Sequence, residues 1–185
     1  MSSYNATVCA TKLIHDSSFY LGIFDYASAA NCAGMWDRVF SAAQRKAEPE
    51  TWQTLFHLND EWIDLAAQGQ LLSWITLFEG VFKVELRLLA ELPQVQFQEA
   101  ETQRFLGGGK TNRLFCPSGE IVIASLGELG KASIAPITKV EAGWYRVGFY
   151  CNDENEYEHY FLEDYSQYPA TGSPDWIFYL QRERA

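Results

Sequence analysis

The stretch FLGGGKTNR, residues 105–113, contains the glycines, lysine and threonine that could bind a phosphate. A P-loop also requires a glycine five residues before its Gly-Lys-Thr, and Arg104 occupies that position. A P-loop links a buried parallel strand to a helix, whereas this stretch lies among predicted hairpins. We therefore interpret 105–113 as a flexible glycine turn between strands.

The histidines and the acidic runs do not match known metal sites. His15, His57 and His159 are far apart in the sequence, and none of them belongs to an HExxH motif or a zinc finger. The run DENEYE at 153–158 resembles a calcium loop only in composition, because Glu158 stands where a glycine must turn the chain. We expect no dedicated metal site and no cofactor.

No serine or cysteine has the sequence context of an activated nucleophile. Ile123 stands where the first glycine of a GxSxG motif around Ser125 would be. Cys151 lies close to Asp153 and Glu154, and their negative charge disfavours a thiolate. The sequence therefore favours a protein without catalytic activity. A carboxylate pair suited to glycoside hydrolysis could still exist among the 24 acidic residues, so a hydrolase stays open as a further hypothesis.

The stretch CNDENEYEHYFLEDYSQY, residues 151–168, is the strongest candidate for a binding function, and we call it the acidic segment. It holds six carboxylates, four tyrosines and no lysine or arginine. Carboxylates accelerate the approach of a basic partner, and tyrosines supply contact area at low entropic cost. We expect a partner-binding edge formed by Asp153, Glu154, Glu156, Tyr157, Glu158, Tyr160, Glu163, Asp164, Tyr165 and Tyr168.

A purely structural explanation of the same residues is also open. If 156–162 forms a strand, Glu156 and Glu158 share one face, which is unfavourable unless a cation relieves the repulsion. Arg146 on a neighbouring predicted strand is one candidate, although one arginine cannot neutralise the group. The charges would then belong to turns and to an edge strand, and they would protect that edge from aggregation.

Length and composition indicate one folded domain, 1–185, with 48% hydrophobic and 15% aromatic residues. The 14 basic and 24 acidic side chains give a net charge of −10, which disfavours nucleic acids and anionic lipids and favours basic partners. The four cysteines form no CxxC pair, the first residues lack a signal-peptide pattern, and no apolar run reaches membrane-spanning length. We expect a cytoplasmic protein with reduced cysteines.

The first part of the chain predicts one strand and two amphipathic helices. Residues 12–26, KLIHDSSFYLGIFDY, are typical of a strand. Apolar residues at helical spacing follow in two stripes, the second of which begins after Pro49 and ends before a capping Gly69. The first stripe is Trp36, Val39, Phe40, Ala43 and Ala47, and the second is Trp52, Leu55, Phe56, Trp62, Ile63 and Ala66.

The remainder of the chain predicts short strands. Apolar residues alternate with charged ones over 82–88, and the stretches 113–125 and 136–150 each predict a hairpin. Residues 156–162 predict an antiparallel return strand, and 176–180 a last strand. The pattern predicts an α+β fold, in which an antiparallel β-sandwich-like sheet of about eight strands accompanies two amphipathic helices in the N-terminal half.

Four stretches resemble the competence protein J family of nuclease inhibitors, namely HDSSFYL at 15–21, EGVFKVELRL at 79–88, ETQRFLGGGKTNRLFCPSGEIVIAS at 101–125 and EAGWYRVGFY at 141–150. The resemblance covers roughly half the chain, and the helical stretch 28–68 has no counterpart in it. It implies an inhibitor of a toxin or a nuclease. More broadly, the chain resembles the immunity proteins that bacteria keep against toxins.

The sequence thus predicts an immunity or inhibitor protein that occludes a basic toxin, most specifically a nuclease, in a one-to-one complex through the acidic segment. Nucleic acid and membranes are not expected as partners. The alternative is a small-ligand or carbohydrate-binding β domain, in which Trp144, Tyr145, Trp176 or Tyr179 stacks on the ligand.

Overall fold

A computed structural model of the chain describes residues 6–16, 18, 20–46, 60–76, 80–89, 105–106, 113–129, 134–151 and 174–183. The strands are β1 (Ala6–Asp16), β2 (Tyr20–Asp25), β3 (Leu71–Ile75), β4 (Gly80–Leu89), β5 (Phe105–Leu106), β6 (Arg113–Cys116), β7 (Glu120–Ser125), β8 (Thr138–Lys139), β9 (Gly143–Cys151) and β10 (Trp176–Arg182). The helices are α1 (Ala29–Lys46) and α2 (Asp60–Ala67). No helix in this part of the chain is long and apolar enough to cross a lipid bilayer.

The described strands form two five-stranded sheets. Sheet 1 has the order β1-β4-β10-β9-β6, and sheet 2 has the order β5-β3-β2-β7-β8. All pairs are antiparallel except β4 and β10, which run parallel. The sequence predicted about eight antiparallel strands, so both the number of strands and the parallel pair differ from that prediction. The predicted return strand 156–162 lies outside the described residues.

The two sheets share one hydrophobic core. Side chains at alternate positions of β4, β9 and β10 meet the apolar side chains of β2, β3 and β7. Aromatic rings fill its centre: the Trp74 ring of sheet 2 lies 5.2 Å from the Phe149 ring and 4.9 Å from the Phe178 ring of sheet 1. Because each buried ring removes a large apolar area from water, these contacts dominate the stability of the arrangement.

Helix α1 covers the opposite face of sheet 2. Cys32, Met35 and Trp36 of the helix are buried against Tyr20 and Phe24 of β2. Strand β2 therefore has apolar neighbours on both faces, and all six of its residues are buried. A strand covered on both sides is continuously apolar rather than alternating, which explains the unbroken run of ring and aliphatic residues in its sequence.

The predicted helices are confirmed in part. The first corresponds to α1, and of the second the structure describes Asp60–Ala67, whereas Trp52, Leu55 and Phe56 lie outside the described residues. Gly69 is confirmed as the helix cap. Its φ is +69°, its N–H donates to the Ala66 carbonyl oxygen at 3.0 Å, and the next N–H, of Gln70, donates to the Leu65 carbonyl oxygen at 2.8 Å.

Both predicted hairpins are wrong, because the chain crosses between sheets at these turns. Strand β6 pairs with β9 in sheet 1, whereas β7 pairs with β2 and β8 in sheet 2. Strand β8 likewise lies in sheet 2 and β9 in sheet 1. The single predicted strand 12–26 is in fact two strands, β1 and β2, one in each sheet. Turn residues indicate where the chain reverses but not which strand lies beside it afterwards.

A buried aspartate, Asp25, holds one of these crossings. Asp25 ends β2, and its carboxylate accepts hydrogen bonds from the Ser118 hydroxyl at 2.8 Å and from the Ser118 N–H at 3.1 Å. The same carboxylate accepts the Ala27 N–H at 2.9 Å and thereby caps the short 3-10 turn Tyr26–Ser28. The crossing from β6 to β7 is thus tied to the end of the central strand of sheet 2.

Candidate protein-binding surface

The acidic segment begins at the last residue of β9. Cys151 ends that strand, and it lies opposite Trp176, the first residue of β10. The segment therefore belongs to the connection between two neighbouring antiparallel strands of sheet 1. All ten predicted partner-binding residues, from Asp153 to Tyr168, lie outside the described residues.

The far end of this connection is anchored by Asp175. The residue is buried, its N–H donates to the Lys83 carbonyl oxygen at 2.9 Å, and its Oδ2 accepts the Lys83 N–H at 2.6 Å. The sequence has no lysine or arginine between Val147 and Gln181, so Asp175 has no basic neighbour within that stretch. The structure instead uses this carboxylate to hold the start of β10 against β4.

A second buried carboxylate lies where β1 ends. Asp16 Oδ1 accepts hydrogen bonds from the Ser18 hydroxyl at 2.9 Å and the Ser125 hydroxyl at 2.7 Å, and Oδ2 accepts the Thr76 hydroxyl at 2.5 Å. The Ser18 N–H donates to Oδ1 as well, at 2.9 Å. These donors come from the β1–β2 crossing and from the ends of β3 and β7, so the network joins the two sheets.

The Asp16 network does not have the arrangement of a catalytic triad. Ser125 is fully buried, and its hydroxyl is hydrogen-bonded directly to a carboxylate rather than to a base that faces a substrate. Burial, followed by the charge of Asp16, raises the pKa of the Tyr20 hydroxyl, so this phenol stays protonated. The hydrogen bonds of Asp16 with Ser18, Thr76 and Ser125 instead connect the ends of strands.

The buried thiols are also unsuited to nucleophilic chemistry. Burial raises the pKa of both Cys32 and Cys116 to about 12, and the negative charge of Asp25 adds to the effect at Cys116. Both thiols are therefore protonated near neutral pH. Within the described ranges, no group of three or more His, Cys, Asp and Glu side chains is placed to hold a metal ion.

The outer face of sheet 1 carries a cluster that the sequence did not predict as a unit. We call it the arginine–ring cluster, and it consists of Arg113, Phe115, Trp144, Arg146 and Glu183. The Arg113 guanidinium lies 4.4 Å from the centre of the Trp144 ring, and the Phe115 ring lies 4.9 Å from it. Arg113 also binds both carboxylate oxygens of Glu183, with Nε–Oε1 at 2.9 Å and Nη2–Oε2 at 2.5 Å.

Arg146 also lies in this cluster. Its Nε is 3.4 Å from Glu183 Oε1, and the Arg113 hydrogen bonds to that carboxylate hold the pKa of Glu183 below its usual range. The alternation of outward and buried side chains in RLFC and GWYRV does predict one shared face for the arginines and rings. Glu183 could not be assigned to them from sequence, because its place depends on the register between β10 and β9.

The ligand-stacking alternative loses two of its four rings. Tyr145 and Trp176 are buried in the core between the sheets, so neither can stack on a ligand at the surface. Trp144 and Tyr179 are partly exposed, but Tyr179 lies next to Arg87, whose guanidinium is 5.8 Å from its ring. Trp144 and Tyr179 stay as the ring candidates of this alternative.

No protein-family model matches the sequence, and no curated protein matches it. Among solved structures, the chain is similar to one described as crocagin biosynthetic gene J, with a TM-score of 0.62 and 21% identity over 97% of this chain and 99% of that one. It is also similar to ComJ from Bacillus subtilis, described as an inhibitor of the DNA degrading activity of NucA, with a TM-score of 0.47 and 9% identity over 96% and 98% of the two chains. The first similarity shows a common fold.

Proposed function

We propose that this protein inhibits a basic toxin, most specifically a nuclease, by binding it one to one through the acidic segment. The carboxylates of 153–164 would contact lysines and arginines of the toxin that otherwise hold phosphates. The complex would block the toxin without any chemical step. The sequence resemblance to a family of nuclease inhibitors supports a nuclease as the partner, because nucleases need basic surfaces to bind their substrates.

The distribution of charge carries this proposal. The acidic segment contributes six of the ten net negative charges of the chain. The described residues, in contrast, are nearly balanced, with twelve carboxylates against ten lysines and arginines. A charge excess confined to one ring-rich segment is typical of a surface that meets a partner of opposite charge.

The carboxylates of the described residues are mostly used within the fold. The three buried aspartates, Asp16, Asp25 and Asp175, accept hydrogen bonds. Five more form ion pairs with arginine or lysine, namely Glu61, Glu85, Glu120, Glu141 and Glu183. The acidic segment contains no basic residue of its own.

The first test identifies the partner. The protein is immobilised at low salt, exposed to a native lysate, and the captured proteins are purified and assayed for cleavage of DNA and RNA. We expect a basic nuclease whose activity falls to zero at one equivalent of this protein. Captured proteins that are acidic, or a nuclease that stays active in the complex, would contradict the proposal.

The second test replaces four carboxylates, Asp153, Glu154, Glu156 and Glu158, with serine. Because these charges steer the encounter, association with the purified partner should slow about tenfold or more at low salt. An unchanged association rate in stopped-flow measurements would rule the acidic segment out as the docking site. The double change Asp153→Ser/Glu154→Ser has a matched control in Asp37→Ser/Asp64→Ser, which removes the same charge from exposed positions on α1 and α2.

A further inference from the structure

The arginine–ring cluster lies on the outer face of sheet 1, where its side chains point away from the shared core. Their strand neighbours Leu114, Cys116 and Tyr145 are buried, which fixes the opposite orientation for the cluster. The Arg113 side chain is 45% exposed and that of Arg146 is 66% exposed. Phe115 is one of the few large apolar residues exposed in the described part of the chain.

The cluster is held in one arrangement before any partner binds. The Trp144 ring contacts both the Phe115 ring and the Arg113 guanidinium, and Glu183 binds that guanidinium through two hydrogen bonds. The main chain supports the same geometry, since the Glu183 N–H donates to the Trp144 carbonyl oxygen at 2.8 Å. A surface that is already ordered loses little conformational entropy on binding.

Charge within the cluster is unbalanced. Arg113 and Arg146 lie directly opposite each other on β6 and β9, a like-charged pair that is unfavourable without a counter-ion. Glu183 is the carboxylate that contacts both, so two positive charges share one negative charge. Arg146 contacts it only through Nε at 3.4 Å, and its terminal nitrogens have no hydrogen-bond partner among the described residues.

We propose that the arginine–ring cluster is a second docking site, which takes a carboxylate-bearing segment of a partner protein. A carboxylate would neutralise the positive charge of Arg146, and the rings of Phe115 and Trp144 would pack against the apolar parts of the same segment. Arginine and tryptophan are enriched among the residues that contribute most to binding energy at protein interfaces, because arginine binds carboxylates and the large tryptophan ring packs against apolar groups. A nucleic acid is a weaker fit, because the chain carries a net charge of −10.

This inference does not depend on the acidic segment, and its test uses a defined probe. The full-length protein is titrated at low salt with acetylated, amidated hexaglutamate, and indole and arginine Nε–H signals are followed by NMR. We expect shifts confined to Trp144, Arg113 and Arg146. Arg146→Gln should weaken the peptide affinity about tenfold, and Arg146→Lys should weaken it less because the charge stays.

Arg38 supplies the matched control. It is 63% exposed and binds Glu61 through two nitrogens, as Arg113 binds Glu183, but it lies on α1 without an aromatic partner in the described residues. Arg38→Gln should leave the peptide affinity unchanged. Equal shifts at Arg38, no shift at Trp144, or no effect of Arg146→Gln would each overturn the proposal. A deoxythymidine decamer that binds the cluster as tightly as hexaglutamate would overturn it as well, because the site would then be selective for phosphate.

Discussion

The carboxylate of Asp16 accepts hydrogen bonds from three buried hydroxyl groups and one N–H. Asp16→Ala would remove the carboxylate that these donors share, in a place that water does not reach. We predict a loss of about 3 kcal/mol or more in the free energy of unfolding, measured in urea. Asp16→Asn should cost less, because its carbonyl oxygen can keep the bonds that Oδ1 accepts.

Asp37 on α1 is the control for this experiment. It is exposed, so Asp37→Ala should change the free energy of unfolding by no more than about 0.5 kcal/mol. If Asp16→Ala changed the free energy of unfolding as little as Asp37→Ala, the hydrogen bonds of Asp16 would not be holding the ends of the two sheets together.

Glu183 makes a pH-dependent contribution to stability. Hydrogen bonds from Arg113 lower its pKa below the ordinary value of 4.5, with the charges of Arg113 and Arg146 adding to the effect. Since the folded-state pKa is the lower one, the stabilisation is fully present above the unfolded-state value and is lost as the pH falls through the folded-state value. We predict that Glu183→Gln is less stable than the wild type near neutral pH and equally stable in acid. A difference that stays constant across this range in urea unfolding would refute the prediction.

At the scale of elements, Gly119 sets the crossing between β6 and β7. Its φ is +71°, and a Cβ added there would lie 2.4 Å from the carbonyl oxygen of Val140. Because the Val140 N–H donates to the Gly119 carbonyl oxygen at 2.7 Å, the two stretches of main chain are held together and neither can move freely. We predict that Gly119→Ala lowers the free energy of unfolding by about 2 kcal/mol or more.

Replacement of glycine by alanine should have the opposite effect on the free energy of unfolding at Gly34. This residue lies within α1, where an added Cβ would meet only the end of the Arg38 side chain at 3.3 Å. Alanine favours a helix over glycine, so Gly34→Ala should raise the free energy of unfolding by roughly 0.5–1 kcal/mol. Thermal unfolding of the two variants side by side tests whether backbone conformation, rather than loss of glycine as such, decides the sign.

Sequence patterns predicted the elements that local spacing controls. Helix α1, the alternating strand β4, the last strand β10 and the cap at Gly69 all follow from periods of 3.6 or 2 and from single turn residues. The partners of the strands were not predictable in this way. The apolar faces of β6 and β7 satisfy the same core whether the two strands pair or cross between sheets, so the pattern fits both topologies.

The residues that join distant elements were missed for the same reason. Glu183 contacts Arg113 only because β9 and β10 share one register, and Asp16 contacts Ser125 only because β1 and β7 end at the same edge of the molecule. The burial of such groups could not be predicted either, since a sequence shows an aspartate but not whether water reaches it. The binding residues of the acidic segment stay a prediction, because they lie outside the described residues.

At the scale of the whole molecule, the two sheets and α1 form a nearly charge-balanced body, and a strongly acidic segment begins at the end of β9. This separation allows steering to be distinguished from contact. Steering is the attraction between opposite charges before the two proteins touch. Salt screens this attraction, with a Debye length of about 10 Å at 0.1 M and about 3 Å at 1 M ionic strength. A hydrogen bond or ring contact in the finished complex is far less sensitive to salt.

The association rate with the purified partner should therefore fall steeply with ionic strength for the wild type and only slightly for the variant that lacks the four carboxylates at 153, 154, 156 and 158. The two curves should converge at about 1 M salt, where the charges no longer act before contact. Curves that stay parallel at all ionic strengths would mean that the four carboxylates act after contact, in the bound complex.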